Sequence, residues 1–266
     1  MGIFGRIDTF ITWFDGVVWG LPLIILILVT GIFLTVRLGL LQVRYLGKAL
    51  KFMVKNEEDG HGEVTSFGAL CTALSATIGT GNIVGVATAI SAGGPGALFW
   101  MILTAFLGMA TKYSEGLLAV KYRTIDEDGH VLGGPFYYIE NGMGVKFRWL
   151  AKIFAFFGAG VGLFGIGTFT QVNGISSAVR NFFDPDMVHT VALFGNDYSW
   201  ATVISCLVLT VCVGMVVLGG IKRIAKVSEV VVPFMAILYV VLAVIIMVTN
   251  ITAIPAAVVT IVKSAF

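Results

Sequence analysis

Six long apolar stretches constrain this 266-residue chain more than any other feature of its sequence. A helix needs about 20 consecutive, mostly apolar residues to cross the hydrocarbon core of a bilayer. The stretches are continuously apolar rather than alternating, which favours helices over the strands of a membrane barrel. The sequence therefore predicts an all-α polytopic membrane protein with six transmembrane helices, at roughly 17–36, 66–93, 96–120, 150–179, 199–219 and 229–250.

The composition supports the same class of protein. Hydrophobic residues make up 58% of the chain and charged residues 12%, whereas soluble domains carry about 25% charged residues. This balance excludes a cytosolic enzyme and a secreted disulfide scaffold. A net charge of +2 is too small to indicate a nucleic-acid partner. We therefore expect the lipid bilayer to surround most of the chain.

Lysine and arginine are distributed unevenly among the connecting segments. Five lie in the loop 37–65, six between residues 112 and 152, and three in 220–228, whereas each tail carries one. The positive-inside rule places basic loops in the cytoplasm. We therefore expect a multi-pass plasma-membrane protein with its N-terminus outside. The basic residues of the first loop are Arg37, Arg44, Lys48, Lys51 and Lys55.

The second stretch, 66–93, is unlike a normal transmembrane helix. A Gly-Thr-Gly-Asn run occupies 79–82 near its middle, with Ser75 and Thr77 one turn earlier. Each glycine costs about 1 kcal/mol relative to alanine in a helix, and unpaired backbone polar groups in hydrocarbon cost several kcal/mol more. Such a run is expected where backbone groups line a polar site.

Two interpretations of this run remain open. If the helix breaks, the N–H groups that begin the second half near Asn82 would suit a carboxylate, and the carbonyls between Ser75 and Ile78 would suit a hard cation such as sodium. Alternatively, Gly81 and Gly85 form a small-residue packing face on a continuous helix.

The fourth stretch contains a second polar patch. Gln171 and Thr168 share one helix face at a spacing of three residues, and Thr170 and Asn173 lie beside them. A glutamine amide offers two donors and an acceptor, which suits the ammonium or carboxylate of a zwitterion. The alternative is a hydrogen bond between helices that stabilises the bundle by about 1 kcal/mol.

No catalytic constellation is visible in the sequence. The three histidines are far apart in polar stretches, and the three cysteines lie in apolar runs. Glu115 is the only carboxylate well inside a predicted span, and it follows Lys112 by three residues, which predicts an ion pair. Without a nucleophile–base pair, paired carboxylates or metal ligands, an enzyme has little support. We expect no cofactor.

Three segments resemble the alanine or glycine:cation symporter family. They are ATIGTGNIVGVATAISAGGPGALFW within 68–100, GGPFYYIENGMG at 133–144 and TGIFLTVRLGLLQ at 30–42. The resemblance implies the broken-helix, inverted-repeat fold of leucine-transporter-like proteins. It also implies symport of sodium, as coupling ion, with alanine, glycine or a similar small neutral amino acid.

The resemblance also assigns roles to individual residues. Gly79, Thr80, Gly81 and Asn82 would meet the substrate carboxylate, with Gln171 facing the substrate beside Thr168. The Asn82 side chain and the Thr77 carbonyl would hold one sodium ion. The carbonyls of Ser75 and Ile78 would form a second possible sodium position.

Family members resemble ten-helix cores built from two five-helix repeats. By that comparison, residues 1–65 hold an extra span and a basic loop, and residues 66–266 hold the first repeat. We expect a missing C-terminal repeat, either in the same reading frame or as a separate chain. The alternative is a transport-inactive fragment or a membrane partner subunit.

Overall fold

The computed structural model describes residues 3–54, 64–193 and 195–266. Lys55 and His61 lie outside the described residues. The described residues are mostly helical, and among them two short antiparallel hairpins depart from the all-α expectation. The helices are α1 (Ile3–Val18), α2 (Leu21–Arg37), α3 (Leu41–Arg44), α4 (Leu46–Val54), α5 (Ser66–Thr77), α6 (Val86–Gly93), α7 (Gly96–Lys121), α8 (Pro135–Met143), α9 (Arg148–Phe164), α10 (Ile166–Phe183), α11 (Trp200–Val217), α12 (Gly220–Thr249) and α13 (Ile254–Ala265), and the strands are β1 (Thr124–Ile125), β2 (Val131–Leu132), β3 (Thr190–Leu193) and β4 (Asn196–Ser199).

The described helices provide five segments long and apolar enough to cross a membrane. A bent pair, Ser66–Thr77 with Gly81–Gly93, makes a sixth if it is one span. These segments overlap the six predicted stretches without matching all of their bounds, and they agree with a multi-pass membrane protein. The five segments are Gly5–Arg37, Gly96–Lys121, Val145–Phe183, Trp200–Val217 and Gly220–Thr249.

Several predicted boundaries were wrong. The first apolar segment starts at Gly5 rather than near residue 17, because α1 precedes α2 with only a short break. The predicted loop 37–65 contains the helices α3 and α4, and the residues after 250 form the helix α13. These helices have at most 12 residues, so the requirement for about 20 apolar residues per crossing does not predict them.

Small residues let the helices pack closely. The helix α5 packs along α12, α2 and α13 pack along α7, and α10 packs along α11. A side chain at Gly31 would come within 3.0 Å of the Leu107 Cβ, and one at Gly96 would collide with the Ser264 backbone. Helices in lipid associate through such close packing, since hydrocarbon provides no hydrophobic drive between them.

The connection between α10 and α11 is held by a buried carboxylate. Asp184 follows α10, and Ser199 caps the N-terminus of α11. The Ser199 hydroxyl donates to Asp184 Oδ2 at 2.5 Å, and the Val188 N–H donates to Oδ1 at 2.8 Å. The Ser199 hydrogen bond is the main reason that the pKa of Asp184 lies below its ordinary value, and the Val188 and His189 N–H groups lower the pKa further.

We predict that this link weakens in acid. Because the pKa of Asp184 is lower in the folded protein, its stabilising effect is present above the ordinary pKa of 3.8 and is lost as the pH falls through the lower, folded value. Thermal unfolding in detergent should show wild type melting above Asp184→Asn at pH 7, with the difference vanishing below that window. The exposed Asp197→Asn is the matched control; a difference between wild type and Asp184→Asn that persists unchanged in acid would contradict the prediction.

Candidate functional site

The second predicted span is broken. The helix α5 ends at Thr77, Ile78 is extended (φ −88°, ψ 106°), and a π-helical turn over Gly81–Gly85 leads into α6. The two halves meet at 51°. The Asn82 N–H donates to the Gly79 carbonyl at 3.1 Å across the turn. Among the described residues, side chains added at Gly81 and Gly85 would meet nothing within 4 Å, so the alternative of a packing face there is not supported.

Gln171 of α10 forms hydrogen bonds with the backbone and side chain of Thr80 at this break. Its Oε1 accepts the Thr80 backbone N–H at 3.0 Å and the Thr80 hydroxyl at 2.9 Å. The N–H that the broken helix cannot satisfy internally is thus paired by a residue from another helix, which lipid could not do. The interhelical hydrogen bond considered from the sequence is therefore present, and it reaches the predicted site.

Two glycines allow α10 to approach the break. A Cβ at Gly79 would lie 2.5 Å from Gln171 Nε2, and one at Gly174 would lie 2.7 Å from Thr80 Cγ2. Both separations are too short for real side-chain atoms. The absence of side chains at Gly79 and Gly174 therefore allows α10 to lie this close to the turn.

The oxygen atoms at the end of α5 are mainly backbone carbonyls. The Ser75 hydroxyl donates to the Thr72 carbonyl at 2.7 Å and the Thr77 hydroxyl to the Ala73 carbonyl at 2.9 Å, so both hydroxyls bond back to their own helix. A helix that ends at Thr77 leaves carbonyls of its last turn without intrahelical donors. Carbonyl oxygens are suitable ligands for a hard cation.

The other predicted residues lie around the same break without being enclosed. The side chains of Ser75, Thr77 and Asn82 are exposed, as is Thr168, one turn before Gln171 in α10. Among the described hydrogen bonds, none joins the Thr168 side chain to the break. The structure therefore brings Gln171 to the 79–82 turn but leaves Thr168 without such a contact.

The ionisable groups in the described ranges form no metal cluster of three or more histidine, cysteine, aspartate or glutamate residues. The predicted ion pair is present, with Lys112 Nζ 2.9 Å from Glu115 Oε2. Burial, with the Glu115 carboxylate nearby, raises the pKa of Tyr138 in α8. Lys112 and Glu115 lie on α7 and Tyr138 on α8, and these two helices pack against each other.

Sequence reasoning missed a second carboxylate inside a helical span. Glu229 lies at the very start of the sixth predicted stretch, 229–250, whereas α12 begins at Gly220 and therefore encloses Glu229. Its Oε1 accepts the Thr65 hydroxyl at 2.7 Å, at the N-terminus of α5. The signal available in the sequence was the basic run 222–226, which can continue a helix beyond the apolar core.

Comparison with known proteins gives consistent results. The profile described as "Sodium:alanine symporter family" matches residues 5–266. An uncharacterized transporter of Haemophilus influenzae is 52% identical over 98% of this chain and 53% of its own length. The sodium/alanine symporter AgcS of Methanococcus maripaludis is 47% identical over 94% of this chain and 52% of its own length. The probable sodium/glutamine symporter GlnT of Bacillus subtilis is 35% identical over 95% and 49%, respectively.

The chain spans about half the length of these curated relatives. The family match covers nearly all of the chain and gives no support to the expectation of a missing repeat. The resemblance noted from the three sequence segments is confirmed.

Proposed function

This chain belongs to the sodium:alanine symporter family, and on that premise we propose that its broken span binds sodium together with a small neutral amino acid for symport. The observation that carries the proposal is the pair of hydrogen bonds by which Thr80, between the two half-helices, donates to Gln171 Oε1. A break of this kind leaves backbone N–H donors and C=O acceptors without intrahelical partners at one point in the span.

The substrate carboxylate is proposed to bind at the start of the second half-helix. The Gly79 and Gly81 N–H groups are the candidate donors, because the Thr80 and Asn82 N–H groups already donate to Gln171 and to the Gly79 carbonyl. The positive end of a helix dipole favours an anion at the same point. The open space beside Gly81 leaves room for a small substrate. Alanine and glycine fit this description, and the Gln171 amide lies next to the same turn.

The coupling ion is proposed to bind on the other side of the turn. The carbonyls of Ser75, Thr77 and Ile78 and the side chain of Asn82 are the candidate ligands. Because ion and substrate would share one turn, each would raise the affinity of the other by the same factor.

The exposure of this turn supports a further part of the proposal. Polar side chains such as Ser75, Thr77 and Asn82 are expensive to leave in contact with lipid. We propose that a second polar-lined segment covers them, in the same polypeptide or as another chain. The Lys and Arg distribution supports a plasma-membrane orientation with the N-terminus outside.

Uptake of labelled alanine into proteoliposomes tests the function. One preparation contains this chain alone, and another contains it coexpressed with the remaining half of the 52% identical Haemophilus relative. An inward sodium gradient should drive accumulation in the second preparation, and a potassium gradient should not. Sodium-driven accumulation by the chain alone would overturn the proposal that a second segment covers the turn. No accumulation in either preparation would overturn the proposed symport.

Site variants test the residue assignment in the coexpressed preparation that accumulates alanine, which we call the active preparation. The double variant Asn82→Ala, Gln171→Ala should abolish sodium-dependent uptake, because it removes a proposed sodium ligand and the partner of Thr80. Asn141→Ala in α8 is the matched control, since Asn141 donates to the Tyr122 carbonyl away from the break. Undiminished uptake in the double variant would contradict the assignment.

A further inference from the structure

The N-terminus of α5 is joined to α12 by one side-chain pair. Thr65 is the N-cap of α5, and its Oγ1 accepts the Gly68 N–H at 2.9 Å. The same hydroxyl donates to Glu229 Oε1 at 2.7 Å. One hydroxyl thus completes the first turn of α5 and ties it to a carboxylate of α12.

Gly68 lets that carboxylate lie directly against the helix. A Cβ at this position would be 2.5 Å from Glu229 Oε1 and 3.0 Å from Thr65 Oγ1. The negative charge of Glu229 therefore lies at the positive end of the α5 dipole, which stabilises the contact.

Residues of both helices near this pair are buried. Cys71, one turn along α5 from Gly68, is 1% exposed. Ala225, Ser228 and Val232 of α12 are also buried. Cys71 is therefore buried on the helix that packs along α12, about two turns from the Thr65–Glu229 pair.

We propose that Glu229 is a positioning residue for the cation site. Its carboxylate accepts the Thr65 hydroxyl and so holds the first turn of α5 against α12; we call this hydrogen bond the latch. The latch fixes the direction of α5, the half-helix whose last-turn carbonyls lie at the break. Because Ile78 is extended, α6 does not dictate that direction through a continuous helix. The part concerning the cation rests on the proposed function, whereas the latch itself does not.

Alkylation of Cys71 measures the latch without transport. The 266-residue chain in detergent, with Cys206→Ser and Cys212→Ser, is treated with N-ethylmaleimide, and labelling is followed by mass spectrometry. A thiol reacts only when reagent and water reach it. Glu229→Ala should raise the labelling rate at least tenfold, whereas Glu229→Gln, which keeps the acceptor oxygen, should raise it much less.

Matched variants make the result specific. Thr65→Val should behave like Glu229→Ala, and Thr65→Ser like wild type. Glu140→Ala removes a carboxylate that pairs with Arg148 elsewhere, and its labelling should not change. Labelling of Glu229→Ala at the rate of the Glu140 control would overturn the latch.

The positioning role is tested by uptake in the active preparation. Glu229→Ala should raise the sodium concentration needed for half-maximal uptake at least tenfold, with most of the maximal rate retained at saturating sodium. Glu229→Gln should restore the affinity for sodium. An unchanged sodium requirement in Glu229→Ala would overturn the positioning role. If wild type shows no uptake, the proposed function fails while the Cys71 measurement still decides the latch.

Discussion

Replacing Gln171 with leucine is expected to reduce the proposed sodium-dependent alanine uptake by about 30-fold or more. The change removes the acceptor of both the Thr80 N–H and the Thr80 hydroxyl. An unsatisfied buried donor costs about 1–3 kcal/mol, and about 1.4 kcal/mol corresponds to a factor of ten. Leucine keeps the approximate volume of the side chain, so the loss reports on hydrogen bonding rather than on a cavity.

Two conservative variants separate bonding from side-chain reach. Gln171→Glu keeps an acceptor oxygen at the same distance from the backbone and should retain the turn, although its charge would alter substrate binding. Gln171→Asn is one methylene shorter and should lose the contact with Thr80. The thermal midpoint of the chain in detergent should fall for leucine and asparagine but not for glutamate. Wild-type uptake and stability in Gln171→Leu would show that Gln171 does not hold the break.

Replacing Gly174 with alanine is expected to have the second large effect. Glycine to alanine in a helix interior normally stabilises by about 1 kcal/mol. At Gly174, however, the new methyl would lie 2.7 Å from Thr80 Cγ2 and 3.3 Å from Thr80 Cβ. Threonine is short and stiff at χ1, so it has little freedom to move aside. Overpacking of this kind costs about 1–3 kcal/mol, and we expect α10 to be displaced from the break.

Gly167→Ala in the same helix provides the control. A Cβ there meets nothing within 4 Å among the described residues. It should therefore leave the thermal midpoint unchanged or raise it, whereas Gly174→Ala should lower it and reduce uptake roughly tenfold. Equal midpoints for the two variants would mean that the approach of α10 to Thr80 is not tight in the protein.

The broken span was predictable because its signal is local. Twenty apolar residues are required at every crossing, and a glycine-rich polar run in the middle of one is costly unless the backbone is freed there. The run at 79–82 satisfied both conditions, and the structure breaks the helix beside it. The ion pair of Lys112 and Glu115 was predictable for the same reason, since residues three apart on a helix are neighbours.

The role of Gln171 was open in the sequence. A glutamine amide can face a substrate or another helix equally well, and nothing in its own segment decides between them. The structure shows its oxygen on Thr80, 91 residues earlier in the chain. Thr168, which shares its helix face, is exposed and has no described hydrogen bond to the break.

By itself, the sequence determined that this chain is a multi-pass helical membrane protein, where its apolar segments lie and which span breaks, because the bilayer imposes those requirements on each segment separately. The tertiary structure alone decided which helices are neighbours, and therefore which polar groups meet. The bond from Thr65 to Glu229 joins residues 164 positions apart. Its formation depends on the packing of α5 against α12 at Gly68, where the absence of a side chain leaves room for the carboxylate.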